Sequence, residues 1–178
     1  MNKVLTPSQT SGPLFGFALM REGLEWSVDP AADDAVEVEG QLFDGQGRPI
    51  AFEAFVEFWS AAQSVRARAL EDGRYKVVLE KPVQTKLSDG RVLAPHFNVA
   101  VFGRGLARQL VTRMYFPDEP ELNATDPILD RVPAMRRDTL VARPANSRIL
   151  RFDIHFQGEA ETVFFKLDAP RLGQEASG

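Results

Sequence analysis

In the stretch APHFNVAVFGRG, residues 94–105, a histidine and an asparagine stand two apart, His96 and Asn98. On an extended chain both side chains leave the same face. A His-x-His pair at that spacing would supply half of a metal site, but an amide is a poor ligand for a transition metal. The stretch is therefore either a metal-binding strand with one ligand missing or a core strand that carries a histidine. The other candidate donors are His155, Tyr75 and Tyr115, each on a different predicted strand. A lone histidine on a strand is ordinarily a hydrogen-bonded structural residue. There is no cysteine, no HExxH and no G-x-S-x-G. Composition and motifs alone thus support neither a metal site nor a hydrolase triad.

A second candidate closes the same stretch. Arg104 lies between Gly103 and Gly105, where neighbours without Cβ leave its guanidinium room to reach outward. A planar fork of donors in that setting suits a carboxylate or an anionic aromatic ligand, and a solvated turn arginine is the plain alternative. GRGLARQ lacks the third glycine of G-x-G-x-x-G and lies between strands, so a phosphate loop is not expected there. Arg136 and Arg137 read as surface salt-bridging or interface residues.

The elements that must hold these residues are mostly strands. VEVEGQLF (36–43) alternates and ends at the turn DGQG. IAFEAFVEFW (50–59), GRYKVVLEKP (73–82), APHFNVAVF (94–102), RQLVTRMYF (108–116), ILRFDIHF (149–156) and ETVFF (161–165) follow. The one helical stretch is PAMRRDTLVA (133–142), and the Pro- and Asp-punctuated segment 117–133 reads as loop. The prediction is an all-β protein: a single-domain antiparallel β-sandwich with one short helix. An extended N-terminal arm (1–15) and a flexible tail (168–178) complete it.

The chain has 178 residues and a net charge of −4. That size suits one sizeable core. The charge argues against a general nucleic-acid surface and a polybasic membrane footprint. No apolar leader and no membrane-spanning run occurs, so the expected location is cytoplasmic. Phenylalanine occurs 13 times against two tyrosines and two tryptophans. That bias fits a β-rich core.

Taken in order, TPSQTSGP (6–13), DGQGRPI (44–50), FVEFWSA (55–61), DGRYKVVLEKP (72–82), APHFNVAVFGRG, LVTRMYFPDEP (110–120), RRDTLVAR (136–143) and LRFDIHFQGEAETVFF (150–165) resemble the intradiol ring-cleaving dioxygenases. Within them they look most like the α subunits of protocatechuate 3,4-dioxygenases, over about residues 6–167. The resemblance implies a β-sandwich and an oligomer of paired, homologous α and β chains. Only β holds a non-haem Fe(3+), through two tyrosines and two histidines, the histidines in an H-x-H strand. Protocatechuate is cleaved with O2 between its hydroxyl-bearing carbons, giving 3-carboxy-cis,cis-muconate.

Carried over position by position, that ligand set fails here. His96 matches the first histidine and Asn98 occupies the second. The tyrosine after KPGP in iron-binding chains falls near Thr85, in KPVQTK. The other tyrosine belongs to a long loop after the VEMWQA stretch, and SAAQSVRARALED (60–72) is short and has none. Tyr75, Tyr115 and His155 match structural positions. The resemblance therefore implies no metal in this chain, an iron-bearing β subunit as partner, and no activity alone. It assigns the arm residues Thr10, Ser11, Gly12, Pro13 and Leu14 to the wall of the partner's site. It assigns Arg104 to the same cavity as a fixed cation in trans. Leu14 stands where an aromatic is common, which opens the substrate to another anionic catechol such as 4-sulfocatechol. Two rivals remain: an iron site rearranged onto Tyr75, Tyr115, His96 and His155, and a non-enzymatic β-sandwich binding or assembly module.

Overall fold

The computed structural model describes residues 10, 19–50 and 54–166. Strands β1 (Ala35–Phe43), β4 (Arg74–Glu80), β9 (Arg143–Pro144), β10 (Ile149–Arg151) and β11 (Ile154–His155) make one sheet. Strands β2 (Ala54–Trp59), β3 (Ser64–Arg68), β7 (His96–Gly103) and β8 (Leu110–Tyr115) make a second, in the order β3-β2-β7-β8. A short ribbon of β5 (Thr85–Lys86) and β6 (Val92–Leu93) lies beside them.

The alternation read in the sequence determines which side chains face inward. Val38 and Leu42 of β1 and Tyr75, Val77 and Leu79 of β4 share one core with Val56 and Phe58 of β2 and Phe97, Val99 and Val101 of β7. Such two-residue spacing places each set on one face of its sheet. Phe58 sits among Tyr75, Phe97 and Phe152 at ring-centroid distances of 5.8, 6.2 and 6.5 Å. Phe55, Phe58, Phe97, Phe116 and Phe152 are the buried phenylalanines among the described residues. Tyr75 is buried and donates its hydroxyl to the Phe152 carbonyl oxygen.

Four expectations need correction. First, the sandwich is not purely antiparallel: β1 runs parallel to both β10 and β11, while the second sheet is antiparallel throughout. The predicted strand 149–156 is split at Asp153: Phe152 N–H still donates to the Glu39 carbonyl oxygen at 2.8 Å, but at the next step a side chain replaces the ladder. Asp153 Oδ1 accepts the Gln41 N–H at 3.0 Å. Second, residues 60–72 are not simply a loop, since β3 pairs there with β2. Third, the α-helix among the described residues is α1 (Pro120–Thr125), inside the segment read as loop, with Pro120 in its first turn. A proline there costs no hydrogen bond, since that N–H has no helical partner in any case. The stretch predicted helical contains instead the 3-10 helix Ala134–Leu140. Fourth, residues 161–165 form no strand. They lie along β8 through single bonds, Phe165 N to Val111 O at 2.7 Å and Thr112 Oγ1 to Val163 O at 2.7 Å. The turn at residues 44–47 forms as read, yet β1 and β2 then enter different sheets.

No helix among the described residues is long and apolar enough to cross a membrane. The tail 168–178 and all of the arm except Thr10 lie outside the described residues.

Candidate functional site

The positions where the resembled enzymes carry metal ligands come together in space. His96, Asn98, Thr85 and residues 60–63 line one surface cleft of about 350 Å3 with Arg113, Glu80, Lys81, Leu93, Pro82 and Val83. Its floor is the face of the second sheet turned away from the core. Phe97 and Val99 point inward on β7, so His96 and Asn98 point out. In the β7–β8 register Asn98 stands opposite Arg113, and His96 opposite Tyr115. Directly opposed residues on an antiparallel pair share a face.

The groups in the cleft are a different set from that of an iron centre. His96 Nδ1 is 2.7 Å from the Ala94 carbonyl oxygen, so this nitrogen carries the hydrogen and Nε2 is left as an acceptor. Burial, and secondarily the Arg113 charge, hold the imidazole pKa below its ordinary 6.5, favouring the neutral ring. The carboxamide of Asn98 makes no side-chain hydrogen bond among the described residues. Arg113 has one weak contact, Nη1 to the Tyr115 hydroxyl at 3.4 Å, and no carboxylate partner there. A guanidinium directly opposite the position of the second histidine would repel a ferric ion. With an amide and a hydroxyl in ligand positions besides, these residues do not fit ferric iron.

The rearranged iron site also fails on distance and bonding. Tyr75 lies in the other sheet with its hydroxyl committed to Phe152. Burial raises its pKa well above that of a free phenol. Tyr115 donates to Asp126 Oδ1 at 3.1 Å, and its phenol is likewise pushed upward by burial. His155 stacks on Phe43 at 4.6 Å, away from the cleft. Among the described residues no group of three His, Asp or Glu side chains could hold a metal ion.

Asp126 is the residue sequence reading missed. Fully buried, it accepts the N–H groups of Ile128 and Leu129 at 2.8 and 2.9 Å and the Tyr115 hydroxyl on one oxygen. The other oxygen accepts the Ala94 N–H at 2.9 Å. It thereby ties the loop after α1 to the residue that orients His96. An Asp before Pro at the head of a helical turn, in TDPIL, was the available signal.

Arg104 is exposed at the other end of β7, in the β7–β8 hairpin. It lies six positions beyond Asn98, just past the strand end at Gly103, about 20 Å along an extended chain. Gly105 takes φ +86, which only glycine adopts without strain. Its N–H donates to Thr10 Oγ1 at 2.9 Å, so the arm reaches the Arg104 turn. Thr10 also lines a small cleft of about 190 Å3 there, with Phe102, Leu106 and Arg108. Ser11, Gly12, Pro13 and Leu14 lie outside the described residues.

The fold is that of the intradiol dioxygenases. The dioxygenase domain of a dioxygenase–carbohydrate-binding fusion from Streptomyces sp. SirexAA-E superposes with a TM-score of 0.56 at 23% identity, over 75% of this chain and 87% of that one. Hydroxyquinol 1,2-dioxygenase from Pseudomonas putida DLL-E4 gives 0.53 at 19%, over 87% and 68%. No family model matches the sequence. Among curated relatives, the protocatechuate 3,4-dioxygenase alpha chain of Burkholderia cepacia is 36% identical, covering 90% of this chain and 96% of its own. That of Pseudomonas putida is 31% identical, over 90% and 95%. The Burkholderia cepacia beta chain reaches 26%, over 81% and 67%. The chain belongs to the protocatechuate 3,4-dioxygenase alpha-chain family.

Proposed function

We propose that the chain is the iron-free α subunit of an intradiol dioxygenase that cleaves protocatechuate with O2 to 3-carboxy-cis,cis-muconate. It works in the cytoplasm, paired in a higher α/β oligomer with a homologous β subunit that holds the ferric iron. The observation that carries this reading is the 36% identity to an alpha chain over nearly its full length. The cleft supports it, because ligand positions converge there without ligand chemistry.

Arg104 stands about 20 Å along β7 from the chain's own cleft. Any electrostatic role it has in catalysis is therefore exerted on a neighbouring subunit. The arm residues Thr10, Ser11, Gly12, Pro13 and Leu14 wall that neighbour's pocket. There Arg104 offers a fixed cation to anionic substrate and to charge that develops as the ring opens. Iron on the partner supplies the oxygen chemistry. This chain's residues bind, orient and exclude water.

Co-expression with the candidate β chain, followed by oxygen uptake on protocatechuate and on 4-sulfocatechol, tests the proposal. The pair is expected to consume O2 with one iron per α/β pair, and the chain alone to bind none. Iron-dependent activity in the isolated chain refutes it, and the faster of the two substrates identifies the preferred catechol.

A further inference from the structure

The outer face of the first sheet carries a row of charges that ends in a cation with no partner among the described residues. Across β4, β1, β10 and β9 the register sets Lys76, Glu39, Arg151 and Arg143 side by side. Their signs alternate as far as Arg151, and then a second arginine follows. Like charges directly opposed across an antiparallel pair are destabilising. Arg151 is neutralised by Asp153, Nε to Oδ2 at 3.0 Å, and the other oxygen of Asp153 accepts the Gln41 N–H. The Arg143 guanidinium makes no ion pair or hydrogen bond among the described residues.

Both arginines line a hollow of about 250 Å3, small beside drug-sized sites of about 300–1,000 Å3. Thr162 lines it too, 1% exposed, and its oxygen accepts the His155 N–H at 3.0 Å. The Thr162 O–H has no acceptor among the described residues, which leaves a buried donor unused. The His155 ring, stacked on Phe43, offers one N–H in either tautomer. Thr139 adds no donor, since its hydroxyl already donates to the Arg136 carbonyl oxygen at 2.8 Å. These groups suit an oxyanion, but one carboxylate stands among them. Asp138 lines the same hollow and pairs with neither arginine. An acceptor in that company repels a fully deprotonated anion and takes a hydrogen bond from one that keeps a proton.

We infer that this hollow binds inorganic hydrogen phosphate, its oxygens on Arg143, Arg151 and the Thr162 hydroxyl, and its own O–H donating to Asp138. Sulfate has the same shape and no proton to give. A phosphate monoester has lost its last proton by about pH 8, since that pKa lies near 6. Among tetrahedral anions, inorganic phosphate therefore matches both the donors and the lone acceptor. The site lies on the outer face of the other sheet from the cleft over β7, and its existence does not depend on the activity proposed above.

Isothermal titration calorimetry at about pH 8, in buffer free of phosphate and sulfate, tests this on the full-length protein with any partner subunit it retains. The titrants are inorganic phosphate, sulfate and methyl phosphate, and differences between wild type and variants cancel sites on a partner. Wild type should bind one phosphate per chain with Kd below about 1 mM, and sulfate and methyl phosphate about tenfold more weakly or worse. Arg143→Gln, a change at an exposed position, should weaken phosphate binding by about tenfold or more while circular dichroism stays unchanged. Asp138→Asn puts an amide donor where the carboxylate stood, so sulfate should then bind within about threefold of phosphate. A wild-type Kd above about 1 mM, or equal binding by wild type and Arg143→Gln, overturns the inference. Sulfate or methyl phosphate bound by wild type as tightly as phosphate overturns the assignment of hydrogen phosphate. Undiminished discrimination in Asp138→Asn overturns the role given to Asp138.

Discussion

Replacing Asp126 tests how the loop after α1 holds the cleft in shape. Its carboxylate accepts four hydrogen bonds with no exposure to solvent. In Asp126→Asn the single carbonyl oxygen can stay with Tyr115, Ile128 and Leu129, which turns the amide nitrogen toward the Ala94 N–H. Two donors then face each other, and the buried Ala94 N–H loses its acceptor, at about 1–3 kcal/mol. The remaining three bonds lose charge assistance, while relief of a buried charge offsets part of the loss. The expected net is about 2 kcal/mol for Asn. For Ala, which orphans all four donors, about 4 kcal/mol is expected. In a chain of this size each kcal/mol lowers Tm by about 2–4 °C. Urea unfolding followed by circular dichroism measures both variants. Because Ala94 orients the His96 ring, the His96 NMR resonances should also move in Asp126→Asn. A change under about 0.5 kcal/mol with unmoved His96 resonances would refute the argument, since surface-like substitutions stay within that margin.

Three further predictions concern the core, the arginine and the histidine. A Cβ at Gly40 would sit 1.9 Å from the Phe152 carbonyl oxygen and 2.6 Å from the Tyr75 ring, so Gly40→Ala should cost about 3 kcal/mol in the same unfolding assay. Arg104→Ala in the α/β complex should lower kcat/KM about 10–100-fold, the worth of one charge-assisted bond, with iron content unchanged by metal analysis. The His96 pKa is lowered by folding, so the unfolded chain binds its proton more readily. The stabilisation is present above the unfolded value near 6.5 and declines as pH falls below it. Comparing urea midpoints of wild type and His96→Gln at about pH 7.5 and pH 5 should show a wild-type decline that the variant lacks.

Alternation alone specified most of the sandwich. VEVEGQLF buries every second residue as a pleated strand with one wet face must, while RYKVVLE and HFNVAVF start on the same alternation and pass into runs buried on both faces, Val77–Leu79 and Val99–Val101. Once the resemblance marked 85, 96 and 98 as ligand positions, the residue types there argued against ferric iron, since donor chemistry belongs to side chains. Three things required the tertiary structure. β1 joins two parallel neighbours more than a hundred residues away, and no local pattern encodes a partner at that separation. Pro120 reads as a breaker until the chain is seen to enter a helix there, where its missing N–H is harmless. Arg113 carries no motif, and the Asp-Pro signal at Asp126 says where a helical turn starts but not that it meets the His96 strand. Only the β7–β8 register sets the first beside Asn98, and only folding of the α1 loop brings the second beneath Ala94. Which groups share a cleft is decided by long-range pairing, and that is a property of the fold.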